Sequence, residues 1–316
     1  MPANPLTTRS RVVLEIASEM VGGPDPIFKQ SKVSFRSQGG REWSRNLYGS
    51  STYEMLDTVI SGEALLAMMN PASLLAVAHL GKGPYASPQP VRVITVIPSE
   101  DQMVFAVRPE TGLKTFEEVA AKRAKLRLGL RGQLDHGLQP MLKDVMDAVG
   151  FTLADFKSWG GDARHDGNIP FPNGAKFAAF VKGELDAVID EASNAWVGQA
   201  LDAGMTILTL TEPTVKRLEA MGHRRAYIRK KDYPKLAADV LTIDFSGWPV
   251  FVRADLADDT VTQICAGLDA RKQNIPWEGE GPLPVERMCL EAPDTPQVIP
   301  LHPAAERFWR AKGYIR

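Results

Sequence analysis

Cysteine is scarce in this chain: Cys265 and Cys289 are the only two among 316 residues. Their separation fits no metal-ligand spacing, so no structural zinc site is expected and they read as two separate buried thiols. The five histidines, His79, His136, His165, His223 and His302, are scattered without an HExxH arrangement, and no metal is expected. The acidic stretch 162–166 reads as a solvated loop. Surplus charge is missing too, since 37 Lys and Arg stand against 38 Asp and Glu, a formal net charge of −1. That balance removes the electrostatic reason to expect nucleic acid or an anionic membrane as partner.

Long apolar runs are also absent, so no membrane insertion is expected. Near the N-terminus Val12, Val13 and Leu14 are cut off by Glu15, too soon for a secretory signal core. The expected location is cytoplasmic for the chain as written, and periplasmic if a signal has been removed from it. The glycine pairs at 22–23, 39–40 and 160–161 lack dinucleotide-fingerprint spacing and read as turns. With no P-loop or nucleophile elbow either, no cofactor is expected.

What is present is an ordinary globular composition, 44% hydrophobic and 24% charged, at a length that suits two domains. Short apolar runs alternate with amphipathic stretches, the signature of an α/β fold. Strands are predicted over 12–18, 33–37, 65–69, 91–97, 103–107, 126–130, 155–159, 187–190 and 206–210, and as a broken pair over 241–252. Helices are predicted over 51–61, after Ser73, from Thr115 with Glu118 completing a capping box, and over 138–150, 175–181, 195–201, 258–272 and 304–312.

Several phrases, in order, resemble the TAXI family of TRAP-transporter solute receptors. The most specific is the C-terminal Pro300-Leu301-His302-Pro303-Ala304-Ala305-Glu306-Arg307-Phe308-Trp309-Arg310-Ala311-Lys312-Gly313. The stretches 105–119 and 181–187 carry the likeness through the middle of the chain. Two features differ from the family pattern: the loop 18–24 is not rich in glycine and threonine, and no export signal is read. The resemblance implies a two-lobed, periplasmic-binding-protein type II fold with a ligand cleft between the lobes. Lobe 1 would hold residues 1–107 and 242–316 and lobe 2 residues 108–241, with hinge crossovers at 103–109 and 238–246. It further implies a small organic solute as ligand, and TRAP membrane subunits as partners if the protein is exported.

In open α/β sheets, ligands sit at the carboxyl ends of strands, where loops and helix N-termini expose N–H groups. That rule gathers Glu19, Met20, Gly40, Arg41, Trp43, Asn70, Ser73, Arg131, His136, Glu191, Ser193, Asn194 and Trp248 as candidate ligand-binding residues. Arginine forks suit a carboxylate, and the tryptophans suit a flat apolar body. A small carboxylate, aromatic or not, fits this set, although Trp248 beside Gly247 and Pro249 equally suits hinge packing. The alternative is a cytosolic enzyme on aromatic carboxylic acids, a decarboxylase related in fold to 4,5-dihydroxyphthalate decarboxylase. His136 and Glu19 would then be its catalytic acid–base candidates.

Overall fold

Period-2 apolar runs and period-3.6 stripes settle into two separate five-stranded sheets with helices against them. The computed structural model describes residues 5–22, 31–36, 44–49 and 54–315. In chain order the elements begin with α1 (Pro5–Gly22), β1 (Ser31–Arg36), β2 (Ser44–Gly49), α2 (Glu54–Ile60), β3 (Leu66–Met68), α3 (Ser73–His79) and β4 (Val91–Ile97). Next come β5 (Val104–Val107), α4 (Glu117–Ala121), β6 (Arg127–Leu130), α5 (Leu138–Val149), α6 (Leu153–Ser158), β7 (Asp162–His165), α7 (Ala175–Lys182), β8 (Ala187–Asp190), α8 (Ser193–Asp202), β9 (Thr206–Ile207) and α9 (Glu212–Met221). The chain ends with β10 (Arg225–Ile228), β11 (Val240–Ile243), β12 (Trp248–Arg253), α10 (Asp258–Arg271) and α11 (Pro303–Ala311).

The first sheet has the order β1-β2-β3-β12-β4, and the second β7-β6-β8-β5-β9; β10 and β11 form a separate ribbon. In the first sheet the late strand β12 lies antiparallel between β3 and β4. In the second, β6 runs parallel to β7 and β8, while β5 opposes β8 and β9. The chain adopts the mixed α/β, two-lobed architecture expected from its sequence.

The chain leaves the first sheet for the second between β4 and β5 and returns to the first from the ribbon, between β11 and β12; these two crossovers lie side by side. Met103 N donates to Ile243 O at 3.0 Å, Phe245 N to Asp101 O at 2.9 Å and Gly247 N to Ser99 O at 2.9 Å. Gln102 and Asp244 form an isolated antiparallel bridge between them. The crossovers therefore lie near 98–103 and 244–247. Strand 104–107, expected in lobe 1, belongs to the second sheet, so the first crossover precedes it.

Three further expectations are corrected. Residues 12–18 are helical, inside α1, because Val12, Ile16 and Met20 recur at helical spacing as well as reading as an apolar run. Residues 155–158 are helical as well. Thr152 Oγ1 accepts from Asp155 N at 3.1 Å and the Asp155 carboxylate accepts from Thr152 N at 2.8 Å, a capping box that starts α6. The strand in that region is instead the polar stretch Asp162–His165, read from sequence as a loop. As the edge of a parallel pair with β6 it has no need of an apolar run.

One apolar cluster runs through both lobes. It joins Leu74 and Leu75 of α3 to Leu138, Met141 and Leu142 of α5 and to Val215 and Leu218 of α9. Gly137 marks the closest approach: a Cβ there would lie 2.4 Å from the Asn70 carbonyl oxygen. A second cluster lies under the first sheet, where the fully buried Trp309 of α11 donates through Nε1 to Ile94 O at 2.8 Å. Cys265 and Cys289 belong to it as free, buried thiols, and burial pushes them up to about 12 and about 11. No described helix is long and apolar enough to cross a membrane.

Candidate functional site

Strand ends in the second lobe deliver the charged part of the site. Arg131 follows β6 directly, and Asp190 and Glu191 end and follow β8, so parallel pairing of these neighbours brings the three together. Arg131 Nε donates to Asp190 Oδ1 at 3.0 Å, Arg131 Nη2 donates to the same oxygen at 2.5 Å, and Nη2 also donates to Glu191 Oε1. Lys176 Nζ lies 3.7 Å from Asp190 and donates to Leu130 O at 2.8 Å. All four residues are buried. Burial pulls Asp190 upward and outweighs the opposing pull of Arg131. Burial also lowers Lys176. Arg131 is shifted up, because its two carboxylate partners outweigh the effect of burial.

Asp101 ties this cluster to the hinge. Its carboxylate accepts from Ala192 N at 2.5 Å, Ser193 N at 2.8 Å and Gln102 N at 2.7 Å. It thereby occupies the N-terminal end of α8, where unpaired N–H groups favour an anion. Ala192 is held there at φ +58°, a left-handed conformation that costs a residue with a Cβ about 1–2 kcal/mol. Burial and the neighbouring Glu191 carboxyl raise Asp101 well above the usual carboxylate range. Glu191 is lowered despite its burial, through Asp101 and Arg131.

The first lobe contributes an aromatic and amide wall. Asn70 precedes Pro71 across a cis peptide bond. With its amide oriented to satisfy both ends, Asn70 donates to Phe245 O at 3.1 Å and accepts from Trp248 Nε1 at 3.3 Å. The His136 ring lies parallel to that of Phe245, with centroids 6.0 Å apart. His136 Nδ1 accepts from Leu138 N at 3.2 Å, and burial followed by Arg131 lowers the imidazole to about 4. Ser73 is fully buried and its Oγ has no hydrogen-bond partner among the described residues, although α3 begins at this residue and is not capped by it. Ser246 Oγ donates to Asp101 O at 3.0 Å and accepts from Asp101 N at 2.9 Å, which fixes the hinge beside the wall.

Of the residues singled out from sequence, Asn70, Ser73, Arg131, His136, Glu191, Ser193 and Trp248 converge on this seam. Asn194 is exposed and instead accepts from Tyr233 Oη at 3.3 Å. Glu19 and Met20 lie on the exposed helix α1, not at a strand end, so the reasoning that selected them does not apply. Gly40, Arg41 and Trp43 lie outside the described residues. Sequence reasoning missed Asp101, Lys176 and Phe245. The polar run Ser99-Glu100-Asp101-Gln102 after a strongly apolar strand was the available signal for Asp101. Lys176 carried none, because it comes from a helix far from any strand end. On the hinge side a groove of about 1570 Å³ opens next to Gln102, Asn194 and Ser246 and carries Arg224 and Arg229 on its walls. Arg224 bridges Asp244 at 3.2 Å and Glu291 at 2.9 Å, and Arg229 pairs with Asp239 at 2.9 Å. Among the described residues no group of three or more His, Cys, Asp or Glu side chains is placed to hold a metal.

Two α/β lobes, a double crossover and a polar seam between them define a hinged, two-lobed protein with its candidate site at the junction. The chain belongs to the NMT1-like family, whose model matches residues 48–313. No curated protein matches it significantly. Among solved structures it is similar to an ancestral arginine-binding protein bound to arginine, at 14% identity over 76% of this chain and 87% of that one, with a TM-score of 0.30. It is also similar to the arginine-, lysine-, histidine-binding protein ArtJ from Geobacillus stearothermophilus, at 10% identity over 75% and 80% of the two chains, TM-score 0.30. A glycine betaine/carnitine/choline ABC transporter structure shares 12% identity over 84% and 85%, TM-score 0.31.

Proposed function

We propose that this chain is a solute-binding protein that encloses a small organic anion between its lobes, a carboxylate with a flat body such as an aromatic ring. The observation that carries this reading is the double engagement of Arg131. Asp190 alone grips the guanidinium through two nitrogens, so Glu191 is a second carboxylate on the same fork. A ligand carboxylate can take the position of Glu191 without leaving Arg131 unpaired, and a planar fork both attracts and orients it. His136, Phe245 and Trp248 then supply the apolar walls for the ligand body.

A proton-donating role for His136, as a decarboxylase would need, has less support. Its Nδ1 is an acceptor, and an imidazole lowered to about 4 is almost entirely neutral at pH 7, with little imidazolium to act as an acid. As a receptor the protein would deliver its solute to transporter membrane subunits, of the TRAP kind if the sequence resemblance extends to partners.

A thermal-shift screen of aromatic and aliphatic carboxylates tests the binding reading. A ligand bound only by the folded state raises the melting temperature by mass action. The expected result is a concentration-dependent rise with at least one acid, recovered chemically unchanged. If every acid leaves melting unmoved at millimolar concentration the anion reading fails, and turnover of the hit would restore the enzyme.

A further inference from the structure

Helix α1 displays exposed apolar side chains that the described residues leave largely uncovered. Val12, Val13, Ile16 and Met20 are 53%, 65%, 56% and 51% exposed. They recur at the three- and four-residue spacing that places side chains on one face of a helix. Leaving that face in water forgoes the favourable burial of each large apolar side chain.

An apolar groove of about 1400 Å³ lies elsewhere on the first lobe, over the sheet and beside α10. Leu47 of β2, Leu66 and Met68 of β3, and Ile264 and Leu268 of α10 line it. Arg271 is the one charged residue among its described lining.

We propose that α1 docks its apolar face into this groove of its own chain, completing the first lobe. Three observations favour that occupant. Eight residues, 23–30, separate α1 from β1, and eight extended residues span about 26–29 Å. The groove begins at β2 and β3, one and two strands from β1, or about 5 and 10 Å across the sheet. Glu15 and Glu19, one turn apart on the flank of the apolar stripe, give Arg271 an acidic counterpart. A short tether also raises the local concentration of α1 to about the millimolar range, which favours its own groove over a neighbour's.

The test is a pair of alanine substitutions, Ile16→Ala and Leu268→Ala, alone and together, with melting followed over a range of protein concentrations. On an exposed helix Ile16→Ala is neutral or slightly stabilising, because alanine is the better helix former. Docked, it should lower the melting temperature by roughly 3–8 °C. The loss should be independent of concentration and smaller when Leu268 is already alanine, the non-additivity expected of side chains in contact. An unchanged or raised melting temperature overturns the proposal. A loss that depends on concentration replaces the chain's own groove with that of a second copy, and a loss fully additive with Leu268→Ala places α1 on another surface. Either of these also overturns it.

Discussion

Glu191→Gln is the substitution that reads the sign of the ligand's charge. Glutamine keeps the shape of the side chain and removes its negative charge, while Asp190 still holds Arg131 at 3.0 and 2.5 Å. An incoming carboxylate has to displace Glu191 from the guanidinium. Glutamine still accepts a hydrogen bond from the charged guanidinium but no longer attracts it as an ion. Against the roughly 1.5–3 kcal/mol of a charged hydrogen bond, losing the ionic part lowers the cost of entry by roughly 1–2 kcal/mol, which is about 5- to 30-fold in affinity. Titration calorimetry of a carboxylate found in the thermal screen, on both proteins at one ionic strength, measures that ratio. If Glu191→Gln weakens or abolishes binding, Glu191 itself holds the ligand. The bound group is then a cation or a donor, and the anion reading is refuted.

Arg131→Ala should cost roughly 3–5 kcal/mol in chemical denaturation, because it takes the guanidinium from two buried carboxylates, Asp190, which keeps Lys176 at 3.7 Å, and Glu191; a loss under about 1 kcal/mol would show that the cluster is not buried as described. For the same reason, loss of binding in that variant says little about the ligand, and Glu191→Gln is the cleaner probe. Gly137→Ala places a Cβ 2.4 Å from backbone at Asn70, so the lobes must separate. An increased radius of gyration in solution scattering is expected, and an unchanged profile would argue against a closed seam. Asp244 is raised to about 6 by burial, so the folded state prefers it neutral. Stability should fall as pH rises from about 4, where the unfolded chain ionises, to about 6, and then level off with a penalty of about 3 kcal/mol at most. Asp244→Asn should flatten melting temperature against pH over that window, and an unaltered slope refutes the assignment.

The fold was legible because its strands are short, apolar and separated by helices. The errors fell where that signal is ambiguous. Residues 12–14 form an apolar run too short to distinguish strand from helix by periodicity, and the helical recurrence through Ile16 to Met20 decided it. The polar edge strand Asp162–His165 had no apolar signature to find. At the site, the strand-end rule reached Asn70, Arg131, His136 and Glu191, because a loop's position follows from the strand before it. It gave their neighbourhood and not their pairing. Nothing in the order of residues says that Arg131 is already held by two carboxylates, or that Asp101 fills the end of α8. Those facts depend on distances between segments about 60 to 90 residues apart, and only the folded chain supplies them.

The place of β12 has a consequence for how the molecule is made. This strand, Trp248–Arg253, fills the gap between β3 and β4, yet it is synthesised about 180 residues after β3 and about 150 after β4. The five strands of the second sheet are all available by residue 207. The lobe begun first is therefore the lobe finished last. While the ribosome works through the middle of the chain, β3 and β4 each present an unpaired edge, the kind of surface that recruits strands from other molecules. A chain stopped short of residue 248 should carry a complete second sheet beside a first one split down its centre.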